Sequence, residues 1–151
     1  MASEFVLHLK TDIDKASVLR LLADAMDVSQ DRESGDVITT VVHATALEAS
    51  LRRKQLFNEF FGFEPTLGVS FRIRSKSAYL AAKNSVLHAS IALLRQVPGN
   101  AILLFNGESI VFERIDSRLI FNELFGRWDS SQLDRLVEGS YEVRSLPSPL
   151  L

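Results

Sequence analysis

The sequence predicts an α+β two-layer sandwich folded as one domain over residues 1–151. Three observations lead there. Strand-like and helix-like stretches follow one another as β-α-β-β-α-β, which is the ferredoxin-like (split β-α-β) plan of an antiparallel sheet with two main helices on one face. Two tight-turn signals beyond residue 105 then extend that sheet by a C-terminal β-meander. A length of 151 residues, 46% hydrophobic and 24% charged, suits one globular core and is too short for two.

Each element has its own signal. Phe5, Leu7 and Leu9 alternate with Glu4, Val6, His8 and Lys10, the pattern of a half-buried strand. Thr11-Asp12-Ile13-Asp14 offers capping oxygens for a helix over 14–26, with Val18, Leu21, Leu22 and Ala25 as its apolar stripe. The β-branched run 37–44 (VITTVVHA) reads as a second strand. Residues 46–61 have helical composition and are ambiguous between helix and loop, with Gly62 as the stop.

Pro65 introduces the clearest strand, in which Val69, Phe71 and Ile73 oppose Ser70, Arg72 and Arg74. Ser75 or Ser77 then caps a helix over 78–96, closed by Val97-Pro98-Gly99. Residues 101–105 (AILLF) are apolar on both faces, as in a central strand. Asn106-Gly107 and Asp116-Ser117 are the turns of the meander, whose later strands run over 109–115 and 118–124. A short helix is expected over 128–138. The tail 145–151, with two prolines, reads as loose.

Composition excludes several functions. The chain has no cysteine, hence no disulfide scaffold, thiol nucleophile or sulfur-ligated zinc. No apolar run approaches the roughly 20 residues of a membrane span, and the opening MASEFVLHLK lacks the basic-then-apolar order of a secretory signal, so a cytoplasmic protein without membrane insertion is expected. The net charge is −2, which gives no general attraction to nucleic acid. That charge is unevenly spread: residues 1–50 carry −5, residues 51–100 carry +6, and residues 101–151 carry −3. The basic middle, Arg52 to Lys76, is either a local patch or is neutralised by the acidic flanks.

Catalytic and cofactor motifs are missing. His8, His43 and His88 have no short-spaced pair to anchor a metal, and there is no GxSxG, GxGxxG or Walker loop. No cofactor is expected. Glu108, Glu113, Glu123 and Asp129 sit on consecutive meander elements, where two facing carboxylates would serve as acid and base, or where each simply charges a solvated edge. The sheet face carrying His8, Lys10, Ser70, Arg72 and Arg74 lacks the aromatic rings that stack RNA bases. Guanidinium groups there suit a carboxylate-rich protein partner. Its alternatives are an ordinary solvated face, or one covered by residues 46–61. Phe57, Phe60, Phe61 and Phe63 form either a satellite core or an exposed anchor patch.

Two stretches also resemble a known family. Gly62-Phe63-Glu64-Pro65-Thr66, running on through Val69 and Phe71-Arg72, is similar to its Gly-Phe-x-Pro-Thr…Val-x-Phe-Arg motif. Residues 93–101 (LLRQVPGNA) resemble its Leu-Leu-x-x-Val-Pro-Gly-Asp-Ala junction, and Phe121-Asn122-Glu123 with Trp128 resembles its closing residues. The family is the third class of the Sit immunity proteins, from bacterial toxin–immunity systems. The resemblance spans roughly residues 57–128, with Asn100 and Arg74-Ser75-Lys76 departing from the pattern. It implies a non-enzymatic protein that binds and neutralises a cognate toxin inside the producing cell. The exposed candidates for that interface are Arg72 and Arg74 on the sheet face, Glu108, Glu113 and Arg114 on the meander, and Trp128 at its rim. The rival classes are a small-ligand or regulatory module, and a hydrolase using the meander carboxylates.

Overall fold

A computed structural model describes residues 3–149. Strand β1 (Glu4–Leu9) leads into helix α1 (Lys15–Met26), which starts where Asp14 Oδ1 accepts the Ser17 N–H at 2.8 Å. Its fully buried side is Val18, Leu19, Leu22 and Ala23, so the predicted stripe is rotated and Leu21 and Ala25 sit at its margin.

The single strand predicted over 37–44 is a hairpin of β2 (Val37–Ile38) and β3 (Val42–Glu48). Thr39 turns the chain: its N–H donates to the Val42 carbonyl at 2.8 Å, and its Oγ1 accepts from the Val42 N–H at 3.0 Å. A threonine side chain offers the backbone a partner other than the ladder, which β-branched propensity alone does not reveal. Strand β3 also takes Ala46–Glu48 from the predicted helical stretch. Helix α2 (Leu51–Phe61) begins at Ser50, whose Oγ accepts the Arg53 N–H, and stops at Gly62 with φ of 77°.

Strand β4 (Leu67–Ile73) is followed by one 3-10 turn (Lys76–Ala78) and helix α3 (Tyr79–Gln96). The expected serine cap does not form. Ser75 and Ser77 bond to each other at 2.9 Å, and the 3-10 turn supplies the start through Ala78 N–H and the Ser75 carbonyl. Strands β5 (Ala101–Phe105), β6 (Ser109–Ile115) and β7 (Arg118–Asn122) make the meander. Its turn residues Asn106, Gly107, Asp116 and Ser117 all have positive φ, as type I′ turns require. Helix α4 (Ser130–Leu136) is shorter than expected, and β8 (Glu142–Arg144) was not expected at all.

The architecture is mixed α+β, with an eight-stranded sheet and four helices among the described residues. The sheet order is β2-β3-β4-β1-β5-β6-β7-β8, antiparallel except for β7 with β8. This departs from the expected four-stranded plan with a simple meander: β2 is added at one edge and a parallel β8 at the other. Helices α1 and α3 pack on one face, where Phe5, Leu7, Phe71 and Leu103 meet Val18, Leu22, Val86 and Leu93 in the main core. Helix α2 lies on the opposite face. There Phe57 and Phe63 cover Ile102, Leu104 and Ile110 as a smaller second core. The phenylalanine-rich segment is thus mostly a satellite core, with Phe60 left outside. In the tail, Ser145 Oγ donates to Glu123, and Leu146 is tied by its N–H and carbonyl to Asn122. Residues 150–151 lie outside the described residues.

Candidate functional site

The structure separates the six predicted interface residues. Arg72 is exposed on the α2 face of the sheet, with Glu4 and His43 as its register neighbours. Arg74, one residue past β4, donates to the Thr39 carbonyl. Glu113 shares the α2 face but lies on β6, three strand intervals from Arg72 and in the row of Ile102, His8 and Gly68, four residues farther along, so roughly 19 Å away. Its carboxyl is half-buried, and burial pushes its pKa up while Arg118 partly offsets that. Glu108 is exposed at the β5–β6 turn.

Arg114 points to the other face and is fully engaged. Its guanidinium donates to the carbonyls of Leu94, Val97 and Gly99, closing the end of α3. Trp128 is also engaged: Nε1 donates to the Asn122 carbonyl at 2.7 Å, and the indole packs on Phe121 at 5.0 Å. Both side chains are thus tied into the fold while remaining half-buried.

The pairing expected from the ferredoxin-like plan, with His8 and Lys10 beside Ser70, Arg72 and Arg74, differs from the observed register. Strand β1 does pair with β4, but His8 stands opposite Gly68 and Glu4 stands opposite Arg72, so Lys10 falls beyond the paired residues. The face is therefore not uniformly cationic. Glu4 lies within it and accepts from Ser70 Oγ at 2.8 Å.

What the sequence did not reveal is a cleft between α2 and this face. Helix α2 touches the sheet through Phe57, and its N-terminal end stands over Val6 and His8. Arg53 reaches down between them, dividing the space into two openings of about 270 and 280 Å³. His8 forms the floor. It is 2% exposed and stacks on the Phe57 ring at 4.4 Å. Burial, helped by the Arg53 charge, lowers its pKa to about 3, so the imidazole is neutral. Arg52, Arg53, Arg72, Arg74 and Lys76 are all exposed, and none has an acidic partner within 4.0 Å among the described residues. The basic middle is thus solvent-facing and makes no close ion pair among the described residues, with Glu4 and Glu48 nearby.

The other candidate chemistry is dispersed. His43 pairs with Asp36 at 2.8 Å, and His88 is exposed on α3. Among the described residues, no three His, Cys, Asp or Glu side chains are arranged for a metal ion. Of the meander carboxylates, Asp129 caps α4 through the Ser131 N–H, and Glu123 accepts from Ser145. The charge beside Glu113 is Arg118, not a second carboxylate.

The motif residues hold strand ends together. Thr66 Oγ1 donates to the Thr11 carbonyl and accepts the Thr11 N–H, locking the end of β1 to the start of β4. Gly99 has φ of 115°, and a Cβ there would run into the Lys10 carbonyl oxygen. Asn100 Oδ1 accepts the Asp116 N–H, joining the end of α3 to the β6–β7 turn. Buried Asn122 makes four hydrogen bonds, to Ile110, Leu124 and twice to Leu146. The family model described as SitI3-like matches residues 3–132. No curated protein and no solved structure matches the chain.

Proposed function

Because the chain belongs to the SitI3-like family, we propose that it is an immunity protein that binds and neutralises a cognate bacterial toxin. The match over residues 3–132 is the observation that carries this, since it takes in both sheet faces and helices α1 to α3. The action is stoichiometric binding in the cytoplasm of the producing cell, without catalysis, cofactor, nucleic acid or membrane insertion. Inhibition of this kind uses an interface of roughly 1,200–2,000 Å² centred on a few desolvated anchors.

The half of the α2 face left open over β3, β4 and β1 supports that use best. It presents Arg72 and Arg53 without acidic partners, together with exposed Leu47 and Leu51. Guanidinium groups beside apolar side chains suit a carboxylate-bearing protein surface. Arg72 leads this surface and Arg74 flanks it, while Glu108 and Glu113 stand farther along the sheet. Arg114 and Trp128 drop out because their donors close α3 and the meander.

The test is rescue. Each gene product encoded beside this protein is expressed in a sensitive host, with and without it. Rescue from one toxic neighbour, with a co-purifying complex, is the expected result. Toxicity that persists in its presence, for every toxic neighbour, contradicts immunity. A small-ligand module is favoured only by the cleft itself, and saturable binding of a metabolite without any toxin complex would support it instead.

A further inference from the structure

We infer that the cleft under α2 receives an acidic side chain of the toxin, gripped by Arg53 and by the ring N–H of His8. This rests on the immunity reading and adds the chemistry of the contact. Three observations carry it.

First, His8 has a donor with no acceptor. A neutral imidazole has one N–H and one lone pair, both in the ring plane. Among the described residues the one polar group within hydrogen-bond distance of the ring is Arg53 Nη1, at 3.5 Å from Nδ1 and 3.4 Å from Nε2, and arginine only donates. So near-equal an approach to both nitrogens must come over the ring face, since in the plane it would strike Cε1. Whichever nitrogen carries the hydrogen, that N–H lacks an acceptor among the described residues. The donor faces the cleft, so a charged acceptor entering there gains a hydrogen bond that no protein group already holds.

Second, the space beside that donor is open because of Gly68. This residue faces His8 in the register of β4, and a Cβ there would lie 3.9 Å from Nδ1. Any larger residue would begin to fill the opening of about 280 Å³.

Third, the charges favour an anion. Glu4 and Glu48 also line the cleft, but the Glu4 carboxylate is engaged by Ser70 Oγ at 2.8 Å and Glu48 is exposed to solvent. Arg53 has most of its donor fork unengaged, and Arg52 stands at the mouth. A carboxylate accepts from the fork and from His8 together, and Val6, Leu56 and Phe57 accommodate its methylene stem.

Two arms test this with the full chain. In the first, the toxin found by rescue is titrated with Arg53→Ala, Arg53→Lys and Gly68→Ala proteins. Arg53 is exposed, and alanine at Gly68 makes only ordinary contacts, so all three should fold. Arg53→Ala should weaken binding by about 30-fold or more. Arg53→Lys should fall between, and Gly68→Ala should lose several-fold. Wild-type affinity in all three would sink the cleft while leaving immunity intact. Failure of the wild-type protein to bind any toxin would sink the immunity reading, and this inference with it.

In the second arm, N-acetylglutamate amide is the probe and NMR the readout. Saturable shifts at His8 and Gly68 in the millimolar range are expected, lost in Arg53→Ala and not produced by N-acetyllysine amide. No shift, or the same shift in Arg53→Ala, overturns the assignment. Shifts by the free probe combined with unchanged toxin affinity in the variants also overturn it, by making this a small-carboxylate site.

Discussion

The two faces of the sheet are covered in different ways. On one, α1 and α3 lie against β1, β4 and β5 and seal Phe5, Leu7, Val69 and Phe71 completely from solvent. On the other, α2 rests on a small cluster around Phe57 and leaves β3, β4 and part of β1 open. Area removed from water is what stabilises the fold, at roughly 25 cal/mol per Å², so the first face carries the stability. The second keeps exposed cations on its surface and the buried His8 imidazole at the floor of its cleft. On the proposed reading, fold and recognition are divided between opposite sides of one sheet.

That division can be broken by mutation. Phe71→Ala, in the main core, should cost about 3–5 kcal/mol and lower the urea midpoint of the whole protein. Phe57→Ala should fall at about 3 kcal/mol, and hydrogen exchange should accelerate in α2 well before α1 or α3. Equal acceleration in all three helices would mean that the faces are not separable. Arg114→Met removes the donors for three carbonyls at the end of α3 and should cost about 2–3 kcal/mol while leaving toxin affinity in the folded protein unchanged.

The pH dependence isolates His8. Its folded pKa of about 3 lies below the unfolded value of 6.5, so the unfolded chain takes up a proton that the folded one refuses. Stability from this group is complete above pH 6.5 and declines as the pH falls towards 3. At pH 4.5 the loss should be about 2–3 kcal/mol relative to pH 7.5. His8→Phe should remove that slope, as seen in urea midpoints across the range. The smallest effect on the fold is expected from Arg72→Ala with Arg74→Ala: stability within about 0.5–1 kcal/mol, and a weaker toxin complex.

The sequence made the backbone plan legible wherever one local cause decides it. Asn106-Gly107 and Asp116-Ser117 dictate type I′ turns, and the alternation of Phe5, Leu7 and Leu9 identifies a buried strand face. Where two local causes compete, the outcome was hidden. Thr39 breaks a run whose β propensity reads as continuous, and Ala46–Glu48 joins β3 although its composition is helical. Ser50 as an N-cap was the missed signal that divides the two. The cleft was least legible, because it depends on strand register and on the face chosen by α2. Setting Arg72 opposite Glu4 and not opposite His8 is a difference of four residues in the pairing of β1 with β4, and no local pattern specifies it. The motif residues Thr66, Gly99 and Asn122 were legible as a signature, but their work is joining strand ends, as is that of Asn100, which departs from the motif.

The most direct measurement is hydrogen–deuterium exchange of the protein alone and in complex with the toxin recovered by rescue. Slowed exchange confined to β3, β4, β1 and the first turns of α2 is the predicted footprint. Protection on α1 and α3 with that region unchanged would contradict the assignment of recognition to the half-covered face.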